Sequence, residues 1–404
     1  MKSLISKFCL LLLLCSATQL RAQVFTNFTD STGLPAGYVS GVAIDGNNHK
    51  WFATQGGVAM YNDTTWKVYS LANGLLDSTI TCIAVDKYNH VWAGTDLGVS
   101  KFDGTTWTNY TTANGLVNSM VSYIAADPDG SVWIGTSGGL SHFTGSVWTN
   151  YTTANGLPAD LISYIRADKK GNVWICTWLG GLAKFNGSTF TYFTTADSLP
   201  ENNIMSICIG AGYTKWVGTS QGGVAVFDSL DKWICTYRLT SELLNNHIQD
   251  IAMDSRGAMW FGIYDSYTQE GGISAEKSNS WKSYTVAKGL VNNLVKKITI
   301  DQSDNVWVAT GAGVSKFYDP YLSAGELAGI NLKIFPNPAS TELHVDGLTS
   351  AGKLRILTLA GCVASEQTVA RGSNTIRLNS LVPGLYIISY TGGNLSYTGK
   401  LVIQ

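Results

Sequence analysis

Apolar and polar residues alternate through most of the chain in runs too short for helices, and the alternation restarts at a regular interval marked by tryptophan. Trp51, Trp92, Trp133, Trp174, Trp216, Trp260 and Trp307 recur at spacings of 41, 41, 41, 42, 44 and 47 residues. Each copy opens with an alternating segment (39–45, 80–86, 121–127, 162–168, 204–210, 248–254, 295–301) expected to form a first strand, a. A turn rich in Asp, Asn and Gly follows, such as Asp127-Pro128-Asp129-Gly130. It leads into a Trp-bearing strand b, as in Val132-Trp133-Ile134-Gly135-Thr136. A glycine-containing loop, a strand c such as Val99-Ser100-Lys101-Phe102, and a strand d anchored by Trp66, Trp107, Trp148, Phe190, Trp233 or Trp281 complete the copy.

Four strands at this period predict the blades of a β-propeller. Seven sets of a, b and c are present but only six d strands follow them; the missing one lies at the other end. Phe25-Thr26-Asn27-Phe28-Thr29 and Gly33-Leu34-Pro35 align without a gap on Trp148-Thr149-Asn150-Tyr151-Thr152 and Gly156-Leu157-Pro158. The expected fold is therefore all-β: a seven-bladed propeller over 23–318 closed by its N-terminal strand, a linker over 319–330, and a small immunoglobulin-like β-sandwich over 331–404. Closure of this kind pairs edge strands that would otherwise template association.

Composition agrees with this organisation. Charged residues make up 14% of the chain, Gly reaches 43 and Trp 13, a turn-rich, aromatic-packed profile. A formal charge of -1 with no basic cluster leaves no electrostatic footprint for nucleic acid. Lys2 and Lys7, the apolar run Phe8 to Leu14, and Leu20-Arg21-Ala22 read as a signal peptide over residues 1–22. No other run approaches the roughly 20 residues of a spanning helix, so no membrane span is expected. The remaining cysteines, Cys82, Cys176, Cys208, Cys235 and Cys362, have no regular spacing; they leave room for one disulfide and support no zinc site.

The pattern Val-Trp-Ile-Gly-Thr-x-Gly-Gly-Leu of the third copy, with close variants elsewhere, resembles the two-component regulator propeller repeat. In that family such repeats form extracellular sensing regions of bacterial hybrid histidine kinases that respond to polysaccharide fragments. This chain departs from those sensors in having one ring and neither kinase nor receiver, which implies that it does not signal by itself. A second resemblance begins at Leu332-Lys333-Ile334-Phe335-Pro336-Asn337-Pro338-Ala339-Ser340 and continues through Leu354-Arg355-Ile356, Gly361, Leu381-Val382-Pro383-Gly384-Leu385-Tyr386 and Gly399-Lys400-Leu401-Val402-Ile403. It is similar to the type A sorting domain of the type IX secretion system, with Pro336, Asn337, Pro338, Gly384, Tyr386 and Lys400 in the matching motif. That resemblance implies outer-membrane passage in a Bacteroidota-type bacterium through the type IX machinery, later removal of the domain, and attachment or release at the surface.

Twelve of the thirteen tryptophans occupy b or d seats and are expected to pack between blades. The recurrent Asp ending strand a is expected to cap the tight turn beside it. Neither set reads as a site. The five histidines are dispersed, with His247 alone placed before a strand a on a face where ligands bind. No catalytic triad, metal-ligand spacing or phosphate loop is present, so no catalytic residue, metal or cofactor is assigned. Departures from the repeat are more informative, because a residue outside the packing rule is available for other work. Blade four inserts Trp178 in its b–c loop, blade five one residue around Gln221, and blade six the run 264–270. Trp178, Tyr264 and Tyr267 are expected as stacking groups for a ligand, and Asp265 and Glu270 as polar contacts. A non-catalytic binding module for glycan or protein is the leading reading. A propeller lyase of polysaccharide or virginiamycin type is the alternative, and a structural or adhesive surface component the third.

Overall fold

The computed structural model describes residues 25–239, 243–277, 280–319, 328–329, 332–358, 363–379, 381–392 and 395–404. The expected signal peptide, residues 320–327 of the linker, Gly361 and Cys362 lie outside them. Seven four-stranded antiparallel sheets carry the strand order a-b-c-d. In the third these are Val121–Ala126, Val132–Thr136, Gly139–Phe143 and Trp148–Tyr151. The seventh joins Val295–Ile300, Val306–Thr310 and Gly313–Phe317 to the N-terminal strand Thr26–Phe28, in register Thr26 with Lys316 and Phe28 with Val314. Among the described residues there is no α-helix.

Strand a is shorter than its alternation suggests, because the terminal Asp turns out of the sheet. Asp168 Oδ1 accepts the backbone N–H of Lys170 and Asn172, while Oδ2 accepts the indole N–H of Trp174 at 3.1 Å. The same indole bond joins Trp51 to Asp45, Trp92 to Asp86, Trp133 to Asp127, Trp260 to Asp254 and Trp307 to Asp301. The Asp thus caps its turn and also fixes the strand b tryptophan, so each buried indole keeps a partner. Blade five has Gly210 at this position, and Trp216 donates to Thr214 Oγ1 instead. All seven strand b tryptophans are buried between blades, whereas Trp233, in a strand d seat, is 46% exposed.

The first glycine of strand c has a steric cause. At Gly139 φ is +130°, and a Cβ there would stand 2.6 Å from the carbonyl oxygen of Tyr151 on strand d, a conformation and an approach open only to glycine. A leucine after each strand d (Leu34, Leu75, Leu116, Leu157, Leu199, Leu243, Leu290) is buried and seals the blade end. Cys82, Cys176 and Cys208 are free and buried in the core, and Cys235 is disulfide-bonded.

In six blades the pairing of strands a and b slips between the first and third residues of strand a, as between Val121 and Tyr123. The second residue is thereby bulged and its side chain leaves the blade's own sheet. Ser40, Ser122 and Ser163 occupy three of these bulges, and Thr81 holds the equivalent position in blade two. Their hydroxyls donate to Ile80 O, Ile162 O, Ile204 O and Val121 O of the next blade at 2.5–2.7 Å. This ring of hydroxyl links lines the upper end of the central channel.

The C-terminal region forms two sheets. One runs in the order Ala328–Gly329, Leu395–Ile403, Gly384–Gly392, Gly352–Leu357, Val363–Val369; the other in the order Lys333–Phe335, Glu342–Leu348, Gly372–Arg377. Leu343, Val345, Ile356, Ile388, Tyr390 and Leu401 are buried in one cluster between them, as a two-sheet packing requires.

Candidate functional site

Strand a begins, and strand b ends, on the face that carries the d–a and b–c loops, so the bulged residues sit at the channel mouth on that face. Blades five, six and seven replace the bridging hydroxyl with Met205, Gln249 and Lys296. The mouth is a cavity of about 140 Å³ lined by these three residues and equally by Ser40, Thr81, Ser122 and Ser163 of the other four blades.

Below the mouth stands a charged cluster. Lys297 Nζ donates to Tyr123 Oη and Tyr164 Oη, both at 2.8 Å, and to Asp250 Oδ1 at 2.9 Å. Asp250 Oδ2 accepts the backbone N–H of Ile298 at 2.7 Å. The two tyrosine rings stack with centroids 4.1 Å apart. Burial alone would lower the Lys297 pKa, but Asp250 and Tyr123 outweigh it and hold the ammonium above its ordinary value. Burial, reinforced by the Asp250 charge, pushes Tyr164 well up, so both partners stay in their common protonated forms.

Above the mouth, His247 bridges two blades. Its Nε2 lies 2.8 Å from Gln249 Nε2 and its Nδ1 3.4 Å from Gln221 Nε2. Burial lowers the imidazole pKa below its ordinary value, opposed by Asp265 and Glu201, so the ring is neutral near pH 7. Glu201 in turn accepts the backbone N–H of Gln221 at 2.6 Å.

The residues singled out in the sequence fall into two loops. Tyr264, Asp265, Tyr267 and Glu270 share one loop, closed by Asp265 N–H to Glu270 O at 2.8 Å. Tyr264 Oη donates to Gln269 Oε1, and Tyr267 is 89% exposed. Asp265 is buried; its carboxylate accepts Tyr267 N–H and Asn245 Nδ2, and those hydrogen bonds, the Tyr267 one foremost, lower its pKa. Glu270 is the carboxylate of this loop that faces solvent. Trp178 is half-buried in the blade-four loop, docked by its backbone N–H on Leu161 O at 3.1 Å. Among the described residues no ring contact joins Trp178 to either tyrosine. Exposed Leu97, Met120, Leu161 and Leu179 lie on the same face, giving blades two to four an apolar rim opposite the polar rim of blades five to seven.

Sequence reasoning singled out His247 and Gln221 but missed Met205, Gln249, Lys296 and the Lys297 cluster. The signal was available by stacking the seven copies, where the second position of strand a reads Ser, Thr, Ser, Ser, Met, Gln, Lys. Among the described residues no group of three His, Cys, Asp or Glu is placed to hold a metal, and no helix is long and apolar enough to cross a membrane.

In the C-terminal region two residues of the expected sorting motif, Asn337 and Lys400, meet. Asn337 Nδ2 donates to Lys400 O at 2.8 Å and Asn337 Oδ1 accepts Val402 N–H at 2.9 Å, fastening the Pro336-Asn337-Pro338 loop to the last strand. Tyr386 Oη donates to Val382 O at 2.8 Å, and Gly384 pairs with Ile403.

Residues 333–404 match the family model of the secretion system C-terminal sorting domain. Segments 74–96, 115–138 and 242–265 match that of the two component regulator propeller. No curated protein matches the chain. Among solved structures, the chain is similar to the extracellular domain of BT3049 from B. thetaiotaomicron, assigned to a hybrid two component system, at 18% identity and a TM-score of 0.65, covering 94% of this chain and 57% of that one. It is also similar to PorZ, a surface component of the type IX secretion system of Porphyromonas gingivalis, at 14% identity and a TM-score of 0.57, covering 91% and 60%. A streptogramin B lyase matches at 14% identity and a TM-score of 0.60, covering 73% of this chain and 97% of the lyase. The chain thus spans under two thirds of the length of the first two, and at these identities the likeness is one of fold.

Proposed function

From the premise that a propeller carrying a type IX sorting domain is exported to the cell surface or released, we propose that this protein is a non-catalytic binding module. Its glycan or protein ligand docks on the face bearing the b–c and d–a loops. The observation that carries this reading is the break in the hydroxyl ring. Four blades use the second residue of strand a to link to the next blade, and three place Met205, Gln249 and Lys296 at that level of the cavity that all seven positions line. A residue released from that link in three adjacent blades, next to a histidine in contact with Gln249 and Gln221, fits recognition better than packing. The aromatic loops supply the wider contact: Trp178, Tyr264 and Tyr267 as stacking surfaces and Glu270 as the polar one, with Asp265 holding the loop in shape.

Screening the mature protein on glycan and peptide arrays tests the reading. Binding that falls about tenfold in His247→Ala or Gln249→Ala, with unchanged melting, supports it; binding that survives both substitutions moves the site off this face. A lyase reading has one observation in its favour, the neutral imidazole of His247 at the channel mouth, in a fold shared with a streptogramin lyase. Ultraviolet-monitored turnover lost in His247→Ala would favour it over simple binding.

A further inference from the structure

We propose that the channel mouth is a carboxylate-binding site, with Lys296 as the contacting cation and Arg166 supplying positive charge from deeper in the channel. This rests on the loop-face reading and names the chemistry of the ligand group that enters it. Among the described residues the inner strands and mouth of the channel carry three cations, Arg166, Lys296 and Lys297, against one carboxylate, Asp250. That carboxylate is fully engaged, one oxygen by Lys297 and the other by the backbone N–H of Ile298. Lys297 likewise uses its three protons on Tyr123, Tyr164 and Asp250. Two positive charges are left over.

Among the described residues Lys296 has no ion pair; its ammonium lies 5.7 Å from the centre of the Tyr38 ring. Arg166 sits two residues beyond Tyr164 on the same inner strand, Ile162–Ala167. Arg166 is exposed to water; burial alone would lower its pKa, but Tyr164 and other channel groups, Asp250 among them, outweigh it and hold the guanidinium above its ordinary value. Among the described residues it has neither an ion pair nor a hydrogen bond. Walls of one sign concentrate counter-ions at their opening. On the loop face Glu201 accepts Gln221 N–H and Asp265 accepts Tyr267 N–H and Asn245 Nδ2, and among the described residues neither forms an ion pair with Lys296. Gln249 adds an amide beside Lys296 on the same cavity wall. The cavity admits a single small group, so it would take the acid end of a larger ligand whose remainder lies on the loop face.

Calorimetric titration of the mature full chain with sodium glucuronate, neutral glucose and inorganic phosphate at low salt tests the assignment. Glucuronate is expected to bind and glucose not to; glucuronate affinity is expected to fall about tenfold in Lys296→Ala and in Arg166→Met, and to weaken as sodium chloride is raised. Lys296→Gln, which keeps the side-chain stem, replaces Lys296→Ala if that variant melts early. The inference is overturned if glucuronate does not bind, if both charge variants bind it as the parent does, or if phosphate binds equally well. Array binding that depends on His247 or Gln249 while glucuronate fails to bind would overturn this inference and leave the loop-face reading standing. Glucuronate binding that depends on Lys296, with no array ligand found, would support this inference and show that the arrays lacked the larger ligand.

Discussion

Ser315 and Asn27 lie 288 positions apart in sequence and share a hydrogen bond of 2.7 Å, from Ser315 Oγ to Asn27 Oδ1. Asn27 Nδ2 then donates to Gly289 O at 3.0 Å. The same pair of contacts is made by Ser100, Asn109 and Gly74, and by Ser141, Asn150 and Gly115. The N-terminal strand therefore occupies a strand d seat in both its backbone pairing and its side-chain bonds, and Phe25 packs on Phe317 with centroids 4.6 Å apart.

Deleting residues 24–29 should expose the edge of strand Gly313–Phe317 and produce aggregation or a large loss of thermal stability. Asn27→Ala, which removes only the side-chain bonds, should cost about 1–2 kcal/mol in urea unfolding. A deletion variant that melts with the parent would contradict this closure.

The turn aspartates make acid stability depend on a buried pair. Burial alone would raise the Asp301 carboxyl, but hydrogen bonds from Trp307, Asn305 and Ser303 outweigh it and hold the pKa below its ordinary value; Asp168 behaves alike. A carboxyl with a depressed folded pKa contributes stability that is complete above the unfolded value of about 3.9 and is lost as pH falls through the folded value. Asp301→Ala should destabilise by about 2–4 kcal/mol at pH 7, by a smaller margin at pH 2, as read by denaturant melts at both pH values.

Thiol chemistry should separate the cysteines. Burial pushes Cys82 up to about 12 and Cys208 to about 11, and Cys176 is buried with them. In the native protein all three should resist thiol reagents, and unfolding without reductant should expose them. Cys235 should react only after reduction. Rapid native labelling of Cys176 would contradict the buried placement.

Truncation should separate folding from export. Asp319, which follows strand c of the last blade, is anchored on blade six: Tyr284 Oη donates to its carboxylate at 2.5 Å and Arg256 Nη1 to its carbonyl oxygen at 2.8 Å. A chain ending just after Asp319 should therefore fold, while one ending before it should be less stable. Without residues 333–404, the folded propeller should accumulate in the periplasm of its native host, measured by fractionation. Normal arrival at the surface would contradict export through this domain.

Much of the fold was legible because a propeller repeats its packing rule. Seven spaced tryptophans announced seven blades, and the match of Phe25-Thr26-Asn27 to Trp148-Thr149-Asn150 announced the closing strand. The Asp ending strand a was legible only as a turn cap, since its second oxygen meets a tryptophan six residues on, a contact that no local turn rule foresees. The channel mouth was hidden for a different reason. Ser40, Thr81, Ser122 and Ser163 look like the polar half of an ordinary alternation, and only the bulge reveals that their side chains leave the sheet. The partnership of Lys297 with Asp250, Tyr123 and Tyr164 joins four residues on four blades, which sequence spacing does not relate. The inserted loops stood out as irregular, but irregularity did not distinguish exposed Tyr267 from Asp265, which is buried beneath its own loop.

Hydroxyl-radical footprinting of the mature protein, with and without a ligand recovered from the arrays, tests the central claim most directly, because it locates the contact without presupposing a residue. Tyr267, Trp178 and Leu179 on the loops and Met205 at the channel mouth are oxidisable and stand on one face, and Trp233 and Tyr192 on exposed strand d positions serve as internal controls. The account predicts that ligand protects the first set and leaves Trp233 and Tyr192 unchanged. Protection of Trp233 or Tyr192, with Met205 and Tyr267 oxidised as in the free protein, would contradict it.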